Sequence, residues 1–294
     1  MIDLNAFLQD IIDTLVEVDG LQAIVLGGSW ASNTQRPDSD IDLGLYYSGG
    51  IPLDINHVRK IAHELNDFPN PEVIELGGWG TWVNGGAWLT IKGQRVDFLY
   101  RNIDFVSTII DECSRGETQF DYLQQPPYGF YSYIYCAETL MCKILYDPQG
   151  AIAGLKSKIS RYSELLKSTI INGLLWRAEF SLKVAKKSAN TGDVYFVAGC
   201  LTRIASSLVQ VLYALNETYF ISDKRLYKDV EHFSVKPQEF VIRLDHILGA
   251  MGCDSKKIAE TLLNTQILLT EVIELCRDQY IPKFDLNALS PKSL

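Results

Sequence analysis

Asp40 and Asp42 stand one residue apart at the head of the apolar run IDLGLYY, and nothing else in the chain restricts its fold as strongly. On a strand, residues i and i+2 share a face, so the two carboxylates project together while Ile41 and Leu43 point to the core. Like charges held side by side cost free energy unless a positive group relieves them. A strand opening in this way needs a cation at its end. Upstream, the strand-like QAIVLG runs into Gly27-Gly28-Ser29, and ten residues lie between Ser29 and Asp40. Glycines let backbone N–H groups approach an anion, the start of a following helix would add a favourable dipole, and Ser29 Oγ can donate to a phosphate oxygen. A plain turn is the other reading of these three residues taken alone. They form no Walker A loop, because no Lys-Ser/Thr follows, and no G-x-S-x-G, because GGSWA lacks the last glycine.

A third acid follows in KGQRVDFLY, where Asp97 sits between Val96 and Phe98 in a run otherwise suited to burial. An unpartnered acid in mid-strand is costly. Arg95 shares its face, but a cation shared with the other acid pair is the more economical partner. Magnesium takes hard oxygen ligands at about 2.1 Å, commonly carboxylates together with phosphates and water. A third carboxylate would complete a cradle for two such ions.

The pattern of periodicity divides the chain. LNAFLQDIIDTL and INHVRKIAHELND carry helical spacing, whereas QAIVLG, DIDLGLYY, NPEVIELGG, GGAWLTIKG and QRVDFLY read as strands between Gly-rich turns. After about residue 150 only helical spacing remains. ISRYSELLKSTIINGLLWRAEFSLKVAKKSA reads as one long helix with a break or kink expected at Asn172-Gly173. VYFVAGCLTRIASSLVQVLYALNETYF and KIAETLLNTQILLTEVIELCRDQY read as two more. YDPQGAIAG is the expected junction. The expected fold is therefore α+β: a small mixed-sheet domain over residues 1–150 and an all-α bundle over residues 151–294.

Charge follows the same division. Residues 1–150 hold 8 Lys and Arg against 21 Asp and Glu, a net of −13, and the remainder holds 19 against 15, a net of +4. An acidic first half argues against a nucleic-acid track, which needs a basic face. It suits metal ions or a cationic small molecule, although acids that merely solubilise the surface give the same balance. The six cysteines form no C-x-x-C pair and the four histidines do not cluster with them. Reduced buried thiols in a cytoplasmic protein are expected, without zinc or disulfides. No uninterrupted apolar run reaches the length of a membrane span, and the acidic N-terminus is unlike a signal peptide.

Gly-Gly-Ser, ten residues, Asp-Ile-Asp and a later strand bearing Asp together resemble the nucleotidyltransferase superfamily that includes DNA polymerase beta. The resemblance covers about residues 20–100 and is nearest the minimal and aminoglycoside nucleotidyltransferases, whose drug-modifying members also carry all-helical substrate domains. It implies that Gly27, Gly28 and Ser29 hold a nucleoside triphosphate, ATP being the expected one. It further implies that Asp40, Asp42 and Asp97 bind two Mg2+ ions, and that Asp97 is metal ligand or general base toward the acceptor hydroxyl. Some members carry Glu at the third position, so Asp97 has the shorter reach. Ser222 and Lys224, in LNETYFISDKRL, match stretches that contact the triphosphate in adenylyltransferases.

Lys143 and Arg36 are further phosphate candidates, each with a structural alternative. Of Trp79, Trp82 and Trp88, one is a candidate to stack on a base or sugar ring and the others to pack the hairpin. Glu75 and Glu138 are candidates to hold a cationic acceptor. The expected reaction moves a nucleoside monophosphate to a hydroxyl of a small molecule. Transfer to RNA or protein, and a nucleotide-binding module without turnover, are the alternatives; a homodimer is compatible with the sequence.

Overall fold

The computed structural model describes residues 3–286. The chain forms two compact units, the first comprising residues up to 114 with 118–161, the second 115–117 with 162 onward. The turn at 147–150 thus lies inside the first unit.

The first unit begins with helix α1 (Leu4–Leu15), whose Asp3 side chain accepts the N–H groups of Asn5 and Ala6 as its cap. Strand β1 (Leu21–Leu26), the one-turn helix α2 (Gly28–Ala31) and strand β2 (Ile41–Tyr47) follow. Helix α3 (Ile55–Leu65) precedes strands β3 (Glu72–Val73), β4 (Gly86–Ile91) and β5 (Gln94–Asn102). Helix α4 (Ile103–Ser114), the short pair β6 (Phe120–Asp121) and β7 (Phe130–Tyr131), helix α5 (Ile134–Met141), strand β8 (Lys143–Tyr146) and helix α6 (Ala151–Lys158) complete it. The six-stranded sheet has the order β3-β4-β5-β2-β1-β8. Its β2–β5 pairing is parallel, and the others are antiparallel. NPEVIELGG, expected as a full strand, pairs only over Glu72–Val73.

The sheet's two faces are unlike. Ile41, Leu43, Leu45 and Tyr47 of β2 join Val96, Phe98 and Tyr100 of β5 in one core with the apolar stripes of α1 and α3. The alternate residues put Asp40, Asp42, Gly44 and Tyr46 beside Arg95, Asp97, Leu99 and Arg101 on the opposite face. One end of that face is closed: Arg101 is buried and ion-pairs with Glu138 of α5 at 3.2 Å. The acid end is not closed in this way.

The second unit is helical, with α7 (Glu164–Ser188), α8 (Val194–Leu215), α9 (Leu226–His232), α10 (Phe240–Gly249) and α11 (Ser255–Leu275). Helix α7 starts at Glu164, capped by the Ser163 side chain, and runs through Asn172-Gly173 without a break. Asn172 Nδ2 instead donates to the carbonyls of Ser168 and Gln279. Among the described residues no strand follows β8. Helix α8 is long and apolar enough to match a membrane span, but 61% of its most apolar window is buried inside the bundle, as befits a core helix. It packs on α7, α10 and α11. Five cysteines are buried and free, and Cys253 is exposed and free.

Among the described residues the bundle holds one buried carboxylate, Glu179 of α7, at 0% exposure. Its Oε2 accepts from the Tyr280 hydroxyl at 2.5 Å and the Lys283 N–H at 2.9 Å, tying the segment after α11 to the core. Tyr280→Phe leaves that buried oxygen one partner short and should destabilise the protein by about 1–3 kcal/mol. The check is the urea midpoint at unchanged m-value; an unmoved midpoint would show that the tie contributes nothing.

Candidate active site

The acids meet through strand register. In the parallel β2–β5 ladder Asp42 lies directly beside Asp97, and two residues back, just before the ladder begins, Asp40 meets Arg95. Gly28 closes the row from the β1 side. Its φ is +55°, and a Cβ built there would lie 1.8 Å from Asp42 Oδ2, so only glycine lets the loop rest against that carboxylate. Gly27 N–H donates to the Asp42 carbonyl at 2.8 Å. Its amide is therefore committed to the fold, which leaves Gly28 and Ser29 as the loop's exposed and half-buried positions. Helix α2 spans only four residues, too few for the macrodipole expected from a longer helix.

Arg95, set aside in the sequence as a partner for Asp97, belongs to the site through Asp40 instead. Its Nε lies 2.5 Å from Asp40 Oδ1, and its Nη2 donates to the Asp38 carbonyl. The guanidinium supplies positive charge where three carboxylates crowd. Periodicity places Arg95 and Asp97 on one face of β5, but only the β2–β5 register shows that Arg95 belongs to Asp40.

Asp97 bears the electrostatic cost. It is half-buried, and its pKa is pushed up to about 6, first by burial, then by Asp42 and Asp40, with Arg95 pulling the other way. Among the described residues no three His, Cys, Asp or Glu side chains are gathered as a metal cluster, and Asp40 is paired with Arg95. The donor set nevertheless fits a hard divalent cation: all-oxygen, anionic, and crowded enough to hold a proton near pH 6.

The remaining candidates fall elsewhere. Ser222 and Lys224 belong to the second unit, where Ser222 Oγ accepts the Lys224 N–H at 3.2 Å as the cap of a three-residue 3-10 turn, and Lys224 is exposed. Lys143 Nζ donates to the Trp30 carbonyl and to Asn33 Oδ1 at 2.8 Å, holding the end of α2. Arg36 is exposed. Glu75 pairs with Arg59, and Glu138 with Arg101, so each expected acceptor carboxylate already has a cationic partner. Trp82 packs against Phe105 and Phe130, whereas Trp79 and Trp88 stack on each other at 4.7 Å.

The raised pKa of Asp97 has a sign that can be tested. A carboxyl that holds its proton more tightly when folded than when unfolded favours the fold at low pH and penalises it as pH rises through about 6. Discounted for its partial exposure, the penalty is about 1 kcal/mol, or about 2–4 °C in a domain of this size. Without divalent cation, Asp97→Asn should therefore melt higher than wild type at pH 8. The gain should shrink through pH 6 and vanish near pH 4. A pH-independent difference would contradict the crowding.

Comparison with known proteins addresses the same residues. Residues 9–75 match the family described as Polymerase beta, Nucleotidyltransferase, a span that includes Gly27–Ser29, Asp40 and Asp42 but ends before Asp97. No curated protein matches the chain. Among solved structures, a nucleotidyltransferase-like protein from Exiguobacterium sibiricum 255-15 is similar over 95% of this chain and 81% of its own, with 9% identity and a TM-score of 0.46. That likeness is too loose to bear on the site. With the matched span reaching from α1 to the end of β3 and enclosing both the glycine loop and the Asp-x-Asp strand, the chain carries in its N-terminal unit a nucleotidyltransferase domain of the DNA polymerase beta superfamily.

Proposed function

We propose that this protein is a magnesium-dependent enzyme that transfers a nucleoside monophosphate, AMP from ATP in the first instance, to a hydroxyl of a small cationic acceptor of the aminoglycoside kind. The observation that carries the reading is the register that sets Asp42 beside Asp97, with Gly28 against Asp42 and Asp40 two residues back on the same face. Asp40, Asp42 and Asp97 would hold two Mg2+ ions, whose chemistry is to neutralise phosphate charge as the transfer proceeds. Gly28 and Ser29 would hold the triphosphate tail, Ser29 through its hydroxyl.

In the reaction the acceptor oxygen bonds to the α-phosphorus as the bond from that phosphorus to the α–β bridging oxygen breaks. Pyrophosphate leaves with the electron pair, and the hydroxyl proton passes to a carboxylate oxygen of Asp97. Arg95 would hold Asp40 until the cations arrive. The first unit's acidity suits an acceptor of opposite charge, and the free thiols suit a reducing cytoplasm.

The test is thermal unfolding of wild type and Asp42→Asn with each nucleoside triphosphate, with and without Mg2+. A ligand at about 100 times its Kd adds about 2.7 kcal/mol of stability. One triphosphate should raise the midpoint, only with Mg2+ and only in wild type. No shift with any triphosphate, or an equal shift in Asp42→Asn, would overturn the reading.

A further inference from the structure

The row of side chains across the sheet does not stop at Asp97. In the antiparallel β4–β5 pairing Trp88 lies directly opposite Asp97, and in the β3–β4 pairing Glu72 lies directly opposite Trp88. Residues opposed in this way share a face, with Cβ atoms about 5 Å apart. Asp42, Asp97, Trp88 and Glu72 therefore form one line over four strands, and Gly28 rests against the Asp42 end.

Trp88 is a large aromatic left 49% exposed beside a half-buried carboxyl. Its position is held from behind. Trp79 stacks on it at 4.7 Å and 30°, and Trp79 N–H donates to the Asn84 carbonyl at 2.8 Å. Gly86 permits the stack, since a Cβ there would lie 2.8 Å from the Trp79 ring and 2.0 Å from the Phe98 carbonyl oxygen. The second indole thus fixes the first, and a ligand meeting Trp88 orders little on binding. At the end of the line Glu72 is exposed and, among the described residues, has no ion pair or side-chain hydrogen bond. The neighbouring Glu75 is tied to Arg59.

Resting on the transferase reading, we infer that Trp88, backed by Trp79 and flanked by Asp97 and Glu72, is the acceptor subsite, and that it takes a hydroxylated ring bearing a protonated nitrogen. The order of the line sets the assignment. The glycine loop lies on the β1 side of Asp42, so the triphosphate tail belongs there, and Trp88 lies on the other side of Asp97 along the row. A ring lying on the indole offers one hydroxyl to Asp97 and its ammonium to Glu72, two strand spacings or about 10 Å away. The indole face and the two flanking carboxylates each favour a cationic ring over a neutral one.

Glucosamine and glucose serve as probes, titrated against intrinsic tryptophan fluorescence in the presence of Mg2+ and a non-hydrolysable ATP analogue, and adenosine is titrated in the same way without the analogue. Glucosamine should bind more tightly than glucose. Trp88→Ala should weaken glucosamine by about tenfold or more. Glu72→Gln should abolish the preference for glucosamine and leave glucose unchanged. The Mg2+–triphosphate thermal shift should persist in both variants, which also shows that they fold. Equal binding of glucosamine by wild type and Trp88→Ala would overturn the subsite. So would loss of adenosine binding or of the triphosphate shift in Trp88→Ala, because Trp88 would then carry the nucleotide base. Failure of the transferase reading is a separate result, the absence of any triphosphate shift in wild type.

Discussion

The parallel pairing of β2 with β5 is the contact on which the rest of the site depends. It sets Asp42 beside Asp97 and Asp40 beside Arg95, and in the same stroke sets Leu43 beside Phe98 and Leu45 beside Tyr100. The apolar pairs lie in the core under α1 and α3. A slip of one residue would bury the acids and expose the core, so hydrophobic burial enforces the placement of the carboxylates. The fold thereby holds a charge arrangement that would not assemble by itself.

That arrangement carries a cost, and the structure shows how it is met. Burial and two neighbouring carboxylates raise Asp97, while Arg95 opposes them from Asp40. Part of that cost stays at Asp97 as a raised pKa in the metal-free protein, and a bound cation would relieve it. At the far end of the same face, Arg101 and Glu138 meet a similar need by pairing under α5. One end of the face is thus neutralised internally, and the other has a half-exposed acid beside a glycine loop and an indole.

The sequence made the backbone of this legible and left the cross-strand pairings obscure. Period-two alternation placed Asp40 and Asp42 on one face, and the isolated Asp97 in an apolar strand announced a buried charge. Helical spacing after residue 150 gave the bundle, although α7 begins only where Ser163 caps it and runs on through Asn172-Gly173. The partner of Arg95 could not be read, because it depends on which strands adjoin and in what register. Glu75 and Glu138 looked available for the same reason: their partners, Arg59 and Arg101, are distant in sequence. Which of the three tryptophans would pack was not readable. Trp82 went to the core, and the other two form a stack that needs the absence of a side chain at Gly86.

The most direct test of the site is a crystal of the full chain grown with Mn2+ and a non-hydrolysable nucleoside triphosphate, examined by anomalous scattering. Manganese should appear at the carboxylates of Asp40, Asp42 and Asp97, with the triphosphate reaching Gly28 and Ser29 and Arg95 withdrawn from Asp40. Arg95 still seated on Asp40, with no anomalous density at the three acids, would contradict the claim that they exist to hold cations.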